Sequence, residues 1–167
     1  MMPSFKRFCL LLGLLTLSSC GWQLRGWQNA SAPGNLHLIS NDRYAPLTLA
    51  LLETMQQQGI SQEAEAALQL SVSKEELRKR TVAVTSIGSP SQYELSMSVN
   101  YLYFKAGEAP DQLPRTLTVF RDFDYDPSNT VAKHEEENTL LEEMRRELAL
   151  RILQLAPAEV DHGQDQH

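Results

Sequence analysis

Histidine and carboxylate side chains are the groups in this sequence that could carry acid–base or metal chemistry. The four histidines are His37, His134, His162 and His167. No two of them have a spacing typical of metal ligands, and neither a Gly-x-Ser-x-Gly turn nor a phosphate-binding glycine loop occurs. The glutamates at 135–137, 142 and 143 are better explained as the solvated beginning of a helix, where negative charge suits the helix dipole. The sequence therefore predicts no catalytic residue, no metal site and no cofactor, and the protein is not expected to be an enzyme.

Cys20 is the residue whose surroundings predict a covalent modification. Lys6 and Arg7 precede an apolar run at 8–17, and small residues lead into "LSSC". This is the layout of a secretory signal, and "LSSC" resembles the bacterial lipobox, in which the cysteine thiol is joined to diacylglycerol and the preceding peptide is removed. The alternatives are an ordinary signal peptide that contains a cysteine and an apolar core helix. We expect residues 1–19 to be the signal and Cys20 to begin a chain held on a membrane by its acyl chains.

The apolar run and the residue after Cys20 predict where the chain is held. A run of about ten residues is too short to span a bilayer as a helix, which takes roughly twenty. In lipoproteins of enteric-type bacteria an aspartate directly after the cysteine is typical of proteins that stay on the inner membrane. This chain has Gly21 at that position instead. We therefore expect an anchor on the periplasmic side of the outer membrane, followed by a glycine-rich tether over residues 20–34.

Charge and cysteine content narrow the function classes. Removing Lys6 and Arg7 from the 15 basic residues leaves 13 against 21 acidic ones, a net charge of about −8. An acidic chain is not expected to bind nucleic acid. Cys9 leaves with the signal and Cys20 is blocked by lipid, so the mature chain has no disulfide and depends on its core for stability.

The hydrophobic patterns predict one α+β domain over residues 35–157, followed by a disordered tail at 158–167. The predicted elements are a strand at 35–40, a helix from Pro46 to Gly59, a strand from Leu68 that resumes at Val82 and Val84, strands at 92–104 and 115–126, and a helix at 131–155. They predict a two-layer sandwich, with a four-stranded, mostly antiparallel sheet and two helices on one face. The other face is left to solvent or to a partner. On the fourth strand Arg121 falls on the apolar face and Phe120 on the polar one, which indicates a bulge or a second contact surface.

A basic cluster lies in the second strand region. It consists of Lys74, Arg78, Lys79 and Arg80. Such a cluster binds phosphates, because arginine forms paired hydrogen bonds with phosphate oxygens. It also serves as a charged strand edge that prevents sheet-to-sheet aggregation, and the residues alone favour this second interpretation.

Four segments together resemble the LptE family of lipopolysaccharide-assembly lipoproteins, also called RlpB. They are "CGWQLRG" (20–26), "QYELSMSVNYLYF" (92–104), "TLTVFRDFDYDPSNTVAK" (116–133) and "EEMRRELALRILQLA" (142–156). The resemblance implies a two-helix, four-strand sandwich that plugs the LptD outer-membrane β-barrel and helps to assemble it. It also implies binding of lipopolysaccharide and a part in its transport to the outer leaflet.

The resemblance also implies a lipopolysaccharide-binding residue. Lys133, in "TVAKHE", matches the family's lysine at the start of the last helix. The family's other basic position falls just before the hairpin turn, where this chain has Ser86. Arg78, Lys79 and Arg80, on the same strand, are the candidates to supply that charge. The competing interpretations are an accessory structural lipoprotein of another envelope assembly complex and a lipid-anchored periplasmic hydrolase.

Overall fold

Two helices cover one face of a six-stranded sheet in the computed structural model of this chain, which describes residues 33–110 and 112–157. The elements are β1 (Asn35–Ser40), α1 (Pro46–Gln57), β2 (Ser61–Gln62), β3 (Leu68–Val72), β4 (Glu76–Val84), β5 (Pro90–Lys105), β6 (Arg115–Asp124), a 3₁₀ turn (Pro127–Asn129) and α2 (Thr130–Gln154). The two-layer α+β class and the two helices are as the sequence predicts. The predicted tail, Cys20 and nearly all of the predicted tether lie outside the described residues.

The long strand β5 organises the sheet. One of its edges pairs antiparallel with β3 and then with β4, from Leu68↔Lys105 to Val84↔Pro90. Its other edge pairs antiparallel with β6. β1 lies parallel to β3 and to β2, and these are the parallel pairs of the described sheet. The sheet is therefore mostly antiparallel, as expected.

The predicted count of four strands is wrong, and the second predicted strand shows why. It is interrupted at residues 73–75, between β3 and β4. At the break the Ser73 amide donates to the Asn100 carbonyl (2.8 Å), and the Ser73 hydroxyl accepts from the Asn100 amide (3.0 Å). A side-chain hydroxyl thus replaces a backbone carbonyl, so the ladder continues past an irregular segment. The two-residue strand β2 adds the remaining strand.

The core lies between the helices and one face of the sheet. On β5 the buried residues alternate along the strand as Leu95, Met97, Val99 and Tyr101. The helices contribute Leu47, Leu51 and Met55 from α1 and Met144, Leu148 and Ile152 from α2. The last helix is predicted to reach Leu155, but α2 ends at Gln154; Leu155 is exposed, whereas Leu153 is buried.

Gly59 ends α1 as the sequence predicts. Its φ of 73° lies in the left-handed region that favours glycine. The amide of Ile60 donates to the Met55 carbonyl (2.9 Å) and that of Gly59 to the Gln56 carbonyl (3.2 Å). These two bonds form a Schellman motif, and they satisfy helix-end carbonyls while Ile60 is buried in the core.

Of the two interpretations of the pattern at Phe120 and Arg121, a bulge or a second contact surface, the bulge does not occur. The β5/β6 register runs without interruption from Gln92↔Asp124 to Tyr101↔Arg115. Arg121, opposite Leu95, therefore lies on the helix face, where its guanidinium pairs with Glu147 of α2. Phe120 lies on the opposite, open face of the sheet and is 57% exposed. The break in the apolar pattern therefore reflects an ion pair between layers and an aromatic residue directed away from the core.

Polar contacts join α2 to the sheet at three further levels. Lys79 Nζ lies 2.7 Å from Glu137 Oε2, and Arg145 Nη2 lies 2.8 Å from Glu75 Oε1. Near the end of the helix the Tyr103 hydroxyl donates to the carbonyl of Ile152 (3.0 Å). Most of these groups are at least half buried, so removing one partner leaves the other poorly solvated.

We expect Tyr103→Phe to lower the free energy of unfolding by about 1 kcal/mol at neutral pH, because the Ile152 carbonyl loses its donor. Burial raises the pKa of Tyr103 well above its ordinary value. The folded state thus disfavours the phenolate, and the wild-type protein loses stability as pH rises above about 10, where the unfolded tyrosine ionises. Urea titrations between pH 7 and pH 11 measure both effects. The variant should lose less stability at alkaline pH than the wild type, and an equal loss in both proteins would contradict this assignment.

We also expect Arg145→Met to destabilise the fold by about 2 kcal/mol, because Glu75 keeps its charge in a largely buried position without its partner. The adjacent Arg146, which is exposed, provides the matched control Arg146→Met, with an expected change near zero. Chemical unfolding of both variants, of Glu75→Gln and of the double variant Arg145→Met/Glu75→Gln measures the coupling energy between residues 145 and 75. Equal effects at 145 and 146 would show that the ion pair does not matter.

Candidate functional site

The three basic residues predicted as one cluster on β4 point to opposite faces of the sheet. Lys79 lies opposite Leu95 and faces the helices, whereas Arg78 and Arg80 lie opposite Ser96 and Glu94 on the open face. Successive strand residues alternate between faces, so these side chains do not converge on one ligand. The sequence interpretation treated them as a single source of charge, and the structure divides that source in two.

Lys79 is bound within the interface between sheet and helix. Its ammonium group contacts Glu137 and lies 4.5 Å from the ring centroid of Tyr93 and 5.1 Å from that of Phe123. A cation over two aromatic rings and beside a carboxylate is already well stabilised. Glu137 is correspondingly not one of the solvated residues that the sequence pattern predicts for the beginning of this helix.

The two arginines on the open face differ in how firmly they are held. Arg80 forms a paired interaction with Glu94, at 2.7 Å from Nε to Oε1 and 3.0 Å from Nη2 to Oε2. This hydrogen bonding raises the pKa of Arg80 and lowers the pKa of Glu94. Arg78 is 80% exposed and lies 3.8 Å from Glu76 Oε2, beyond hydrogen-bonding distance. Arg78 is therefore the more available cation of the two.

Lys133 lies in the first turn of α2, where its Nζ is 2.7 Å from Glu136 Oε2. It adds to the lowering of the Asp126 pKa, which comes mainly from hydrogen bonds donated by Ser128. Glu137, one turn further along, contacts Lys79 of β4, so this part of α2 lies beside β4 on the helix side of the sheet. The structure thus places Lys133 and Lys79 on the helix side of the sheet, and Arg78 and Arg80 on its open face.

The β4–β5 hairpin presents apolar side chains that the sequence interpretation did not single out. Thr85 and Ser89 close the turn through a 2.7 Å backbone hydrogen bond, and Gly88 has a φ of 81°. Ser86 is exposed here, and Ile87 is 85% exposed. The sequence signal for this exposed apolar residue is the isoleucine among turn-forming residues in "TSIGSP", because a hairpin turn has no core in which to bury it.

The open face of the sheet forms a groove of about 450 Å³. Hydroxyl and amide groups from β5 and β6 form much of its lining, and Phe120 and Arg78 also contribute. The Thr116 hydroxyl donates to Asn100 Oδ1 at 2.7 Å, which fixes one end of the lining. The sequence pattern predicts the polar face of β5, but the contribution of β6 depends on the register of two strands and was missed.

Within the described residues, no three histidine, cysteine or acidic side chains form a group that could hold a metal ion. His37 lies on β1 and the exposed His134 lies on α2. No helix in the described ranges is both long and apolar enough to cross a membrane.

The comparisons with known proteins identify the family of this chain. The family model "LptE: Lipopolysaccharide-assembly" matches residues 35–155, which is nearly the whole described domain. The chain is 30% identical over 155 residues to the LPS-assembly lipoprotein LptE of Pectobacterium atrosepticum, covering 89% of this chain and 83% of that protein. It is 29% identical over 171 residues to the protein of the same name in Yersinia enterocolitica, covering 93% and 80%.

Solved structures share the fold. The rare lipoprotein B of Shewanella oneidensis superimposes with a TM-score of 0.64 at 29% identity, over 72% of this chain and 91% of that one. Lipoprotein B of Nitrosomonas europaea gives a TM-score of 0.64 at 19% identity, over 80% and 88%, and so supports the fold alone. The resemblance noted in the sequence is thereby confirmed, and the chain belongs to the LptE family of lipopolysaccharide-assembly proteins.

Proposed function

We propose that this protein takes part in lipopolysaccharide transport and assembly at the outer membrane, as the plug and assembly partner of an LptD-type β-barrel. The observation that carries the proposal is the family match, which spans both helices and nearly the whole described sheet. The role is one of binding and assembly, in keeping with a family of assembly lipoproteins and not of enzymes.

The division of the molecule into two faces supports a role inside a barrel. Because both helices pack on one face, the open face of β5 and β6 has no covering element among the described residues. That face carries serine, threonine and asparagine side chains. The interior of an outer-membrane barrel is polar, so a polar outer face suits a domain enclosed in it.

The proposed lipid on Cys20 would place the domain beside its partner. The acyl chains restrict the chain to the membrane surface, and residues 20–34 set the distance that the domain explores. A tether of this kind raises the effective concentration of the domain near a barrel in the same membrane. This part of the proposal rests on the sequence pattern, with the anchor on the periplasmic side of the outer membrane.

For lipopolysaccharide we retain Lys133, Arg78, Lys79 and Arg80 as the proposed contacts, now as two separate groups. Lys133 of α2 and Lys79 of β4 lie on the helix side of the sheet, and Arg78 and Arg80 lie on the open face. Three of the four cations contact a carboxylate within 3 Å. An anionic ligand must therefore compete with glutamates, and Arg78 is the cation that it reaches with least competition.

The partner is tested by purifying the tagged, lipidated protein from solubilised outer membranes and identifying co-purified proteins by mass spectrometry. We expect an LptD-type barrel in equimolar amount. Cys20→Ala, which cannot receive the lipid, should recover much less barrel from the outer membrane. Recovery of a different envelope complex would instead support the accessory-lipoprotein alternative and would refute the plug role.

The lipopolysaccharide contacts are tested by reversing charge at Lys133 and Arg80, alone and together. We expect the double variant to bind lipopolysaccharide about tenfold more weakly, because charge-assisted hydrogen bonds to its phosphates are lost. Arg146→Glu, at an exposed position on α2, makes the same change in net charge as either single variant and should leave binding unchanged. Circular dichroism confirms that each variant is folded. Unchanged binding by the folded double variant would refute the assignments of Lys133 and Arg80.

A further inference from the structure

The floor of the open-face groove consists of uncharged side chains that both donate and accept hydrogen bonds. They are Ser96, Ser98 and Asn100 of β5 and Thr116 and Thr118 of β6. The register places Ser98 beside Thr118 and Asn100 beside Thr116, so the polar groups form adjacent rows across two strands. Hydroxyl and amide groups can match a ligand that is itself rich in hydroxyl groups, because each serves as donor or acceptor.

Phe120 provides an aromatic surface at the side of this floor. It lies opposite Ser96, lines the groove and is 57% exposed, so it contributes little to the core. The face of an aromatic ring carries partial negative charge and attracts the positively polarised C–H groups of a sugar ring. An aromatic platform beside a row of hydroxyl groups is therefore the combination that a saccharide requires.

Arg78 supplies the groove with a cation that can bind an anionic substituent on that saccharide. Arg78, opposite Ser96, and Glu76 both line the groove, and their charged groups lie 3.8 Å apart, beyond hydrogen-bonding distance. Arg80, two residues further along, is instead held by Glu94 at 2.7 Å. The groove thus combines a neutral floor with an exposed carboxylate and a weakly held guanidinium, and that guanidinium complements a phosphate or a carboxylate of a ligand.

We infer that the open-face groove binds an oligosaccharide that carries an anionic group, with Phe120 stacking on a sugar ring and Arg78 pairing with the phosphate or carboxylate. The inference rests on the proposed function for the source of the glycan, which is the sugar portion of lipopolysaccharide. The groove is on the opposite side of the sheet from Lys79 and Lys133. Its volume of about 450 Å³ lies within the size of small-molecule pockets.

A protein surface is the other candidate occupant of this face. The cores of protein interfaces are rich in aromatic and apolar residues, and their strongest contacts form a fully desolvated cluster. The groove has a single exposed phenylalanine among hydroxyl groups, and its arginine is at the solvent-exposed rim. These features favour a hydrated polar ligand over a packed protein interface.

The probe is the oligosaccharide released from lipopolysaccharide by complete deacylation. It is used in two forms, one that keeps its phosphates and one that has been dephosphorylated. Isothermal titration calorimetry of the mature lipidated chain in detergent measures its binding, which cannot depend on acyl chains. We expect Phe120→Ser to weaken binding of both forms about tenfold. Arg78→Gln should weaken binding of the phosphorylated form alone if a phosphate is recognised, and of both forms if a carboxylate is. The matched controls Val131→Ser and Arg146→Gln, both at exposed positions on α2, should bind like the wild type.

The results separate this inference from the proposed function. If an LptD-type barrel co-purifies but the wild type binds no oligosaccharide, the inference is wrong and the proposed function stands. If oligosaccharide binds through Phe120 and no barrel is recovered, the groove assignment stands and the plug role is wrong. Unchanged binding by folded Phe120→Ser would refute the groove assignment. If that variant also fails to recover the barrel, the open face is a protein interface.

Discussion

The pairing of β5 with three other strands is the interaction on which the rest of the molecule depends. This strand has 16 residues and bonds to β3 and β4 along one edge and to β6 along the other. Its two faces consequently define the two surfaces of the sheet. One carries Leu95, Met97 and Val99 under the helices, and the other carries the groove. A slip of one residue in its register would exchange these faces, so the apolar pattern of this strand fixes both the core and the candidate site.

The ion pairs between the helices and the sheet are the second determinant of the fold. α2 is held against the sheet by an apolar stripe, but ion pairs from β4, β6 and the break before β4 surround that stripe. Each such pair gains Coulomb energy and loses solvation, so its net contribution to stability is small. Its larger effect is on specificity, because a helix shifted by one turn would leave Glu137 or Arg145 in the interface without a partner.

The sequence predicts the features that depend on local periodicity and fails where distant residues decide. The alternation of apolar and polar residues from Tyr93 to Tyr101 is sufficient to predict β5, and apolar residues at helical spacing are sufficient to predict α2. The break at Ser73 was not predictable, because it depends on hydrogen bonds with Asn100, far along the chain. The ion-pair partners of Lys79 and Arg145 lie 58 and 70 residues away, and local patterns carry no signal for them. The division of the β4 cations between the two faces of the sheet could be predicted, because neighbouring residues of a strand point to opposite faces.

The ion pairs of the basic residues limit how tightly the protein can bind an anionic glycolipid that it transports. A transport step requires release as well as capture, and a cluster of unpaired cations would hold a phosphorylated ligand too long. Here Lys133, Lys79 and Arg80 each contact a carboxylate, so a bound anion replaces an existing interaction and gains only the difference. The acidic net charge of the chain further weakens any long-range attraction. Under the proposed function, contacts spread over two faces and masked by glutamates favour weak, successive binding over a single tight site.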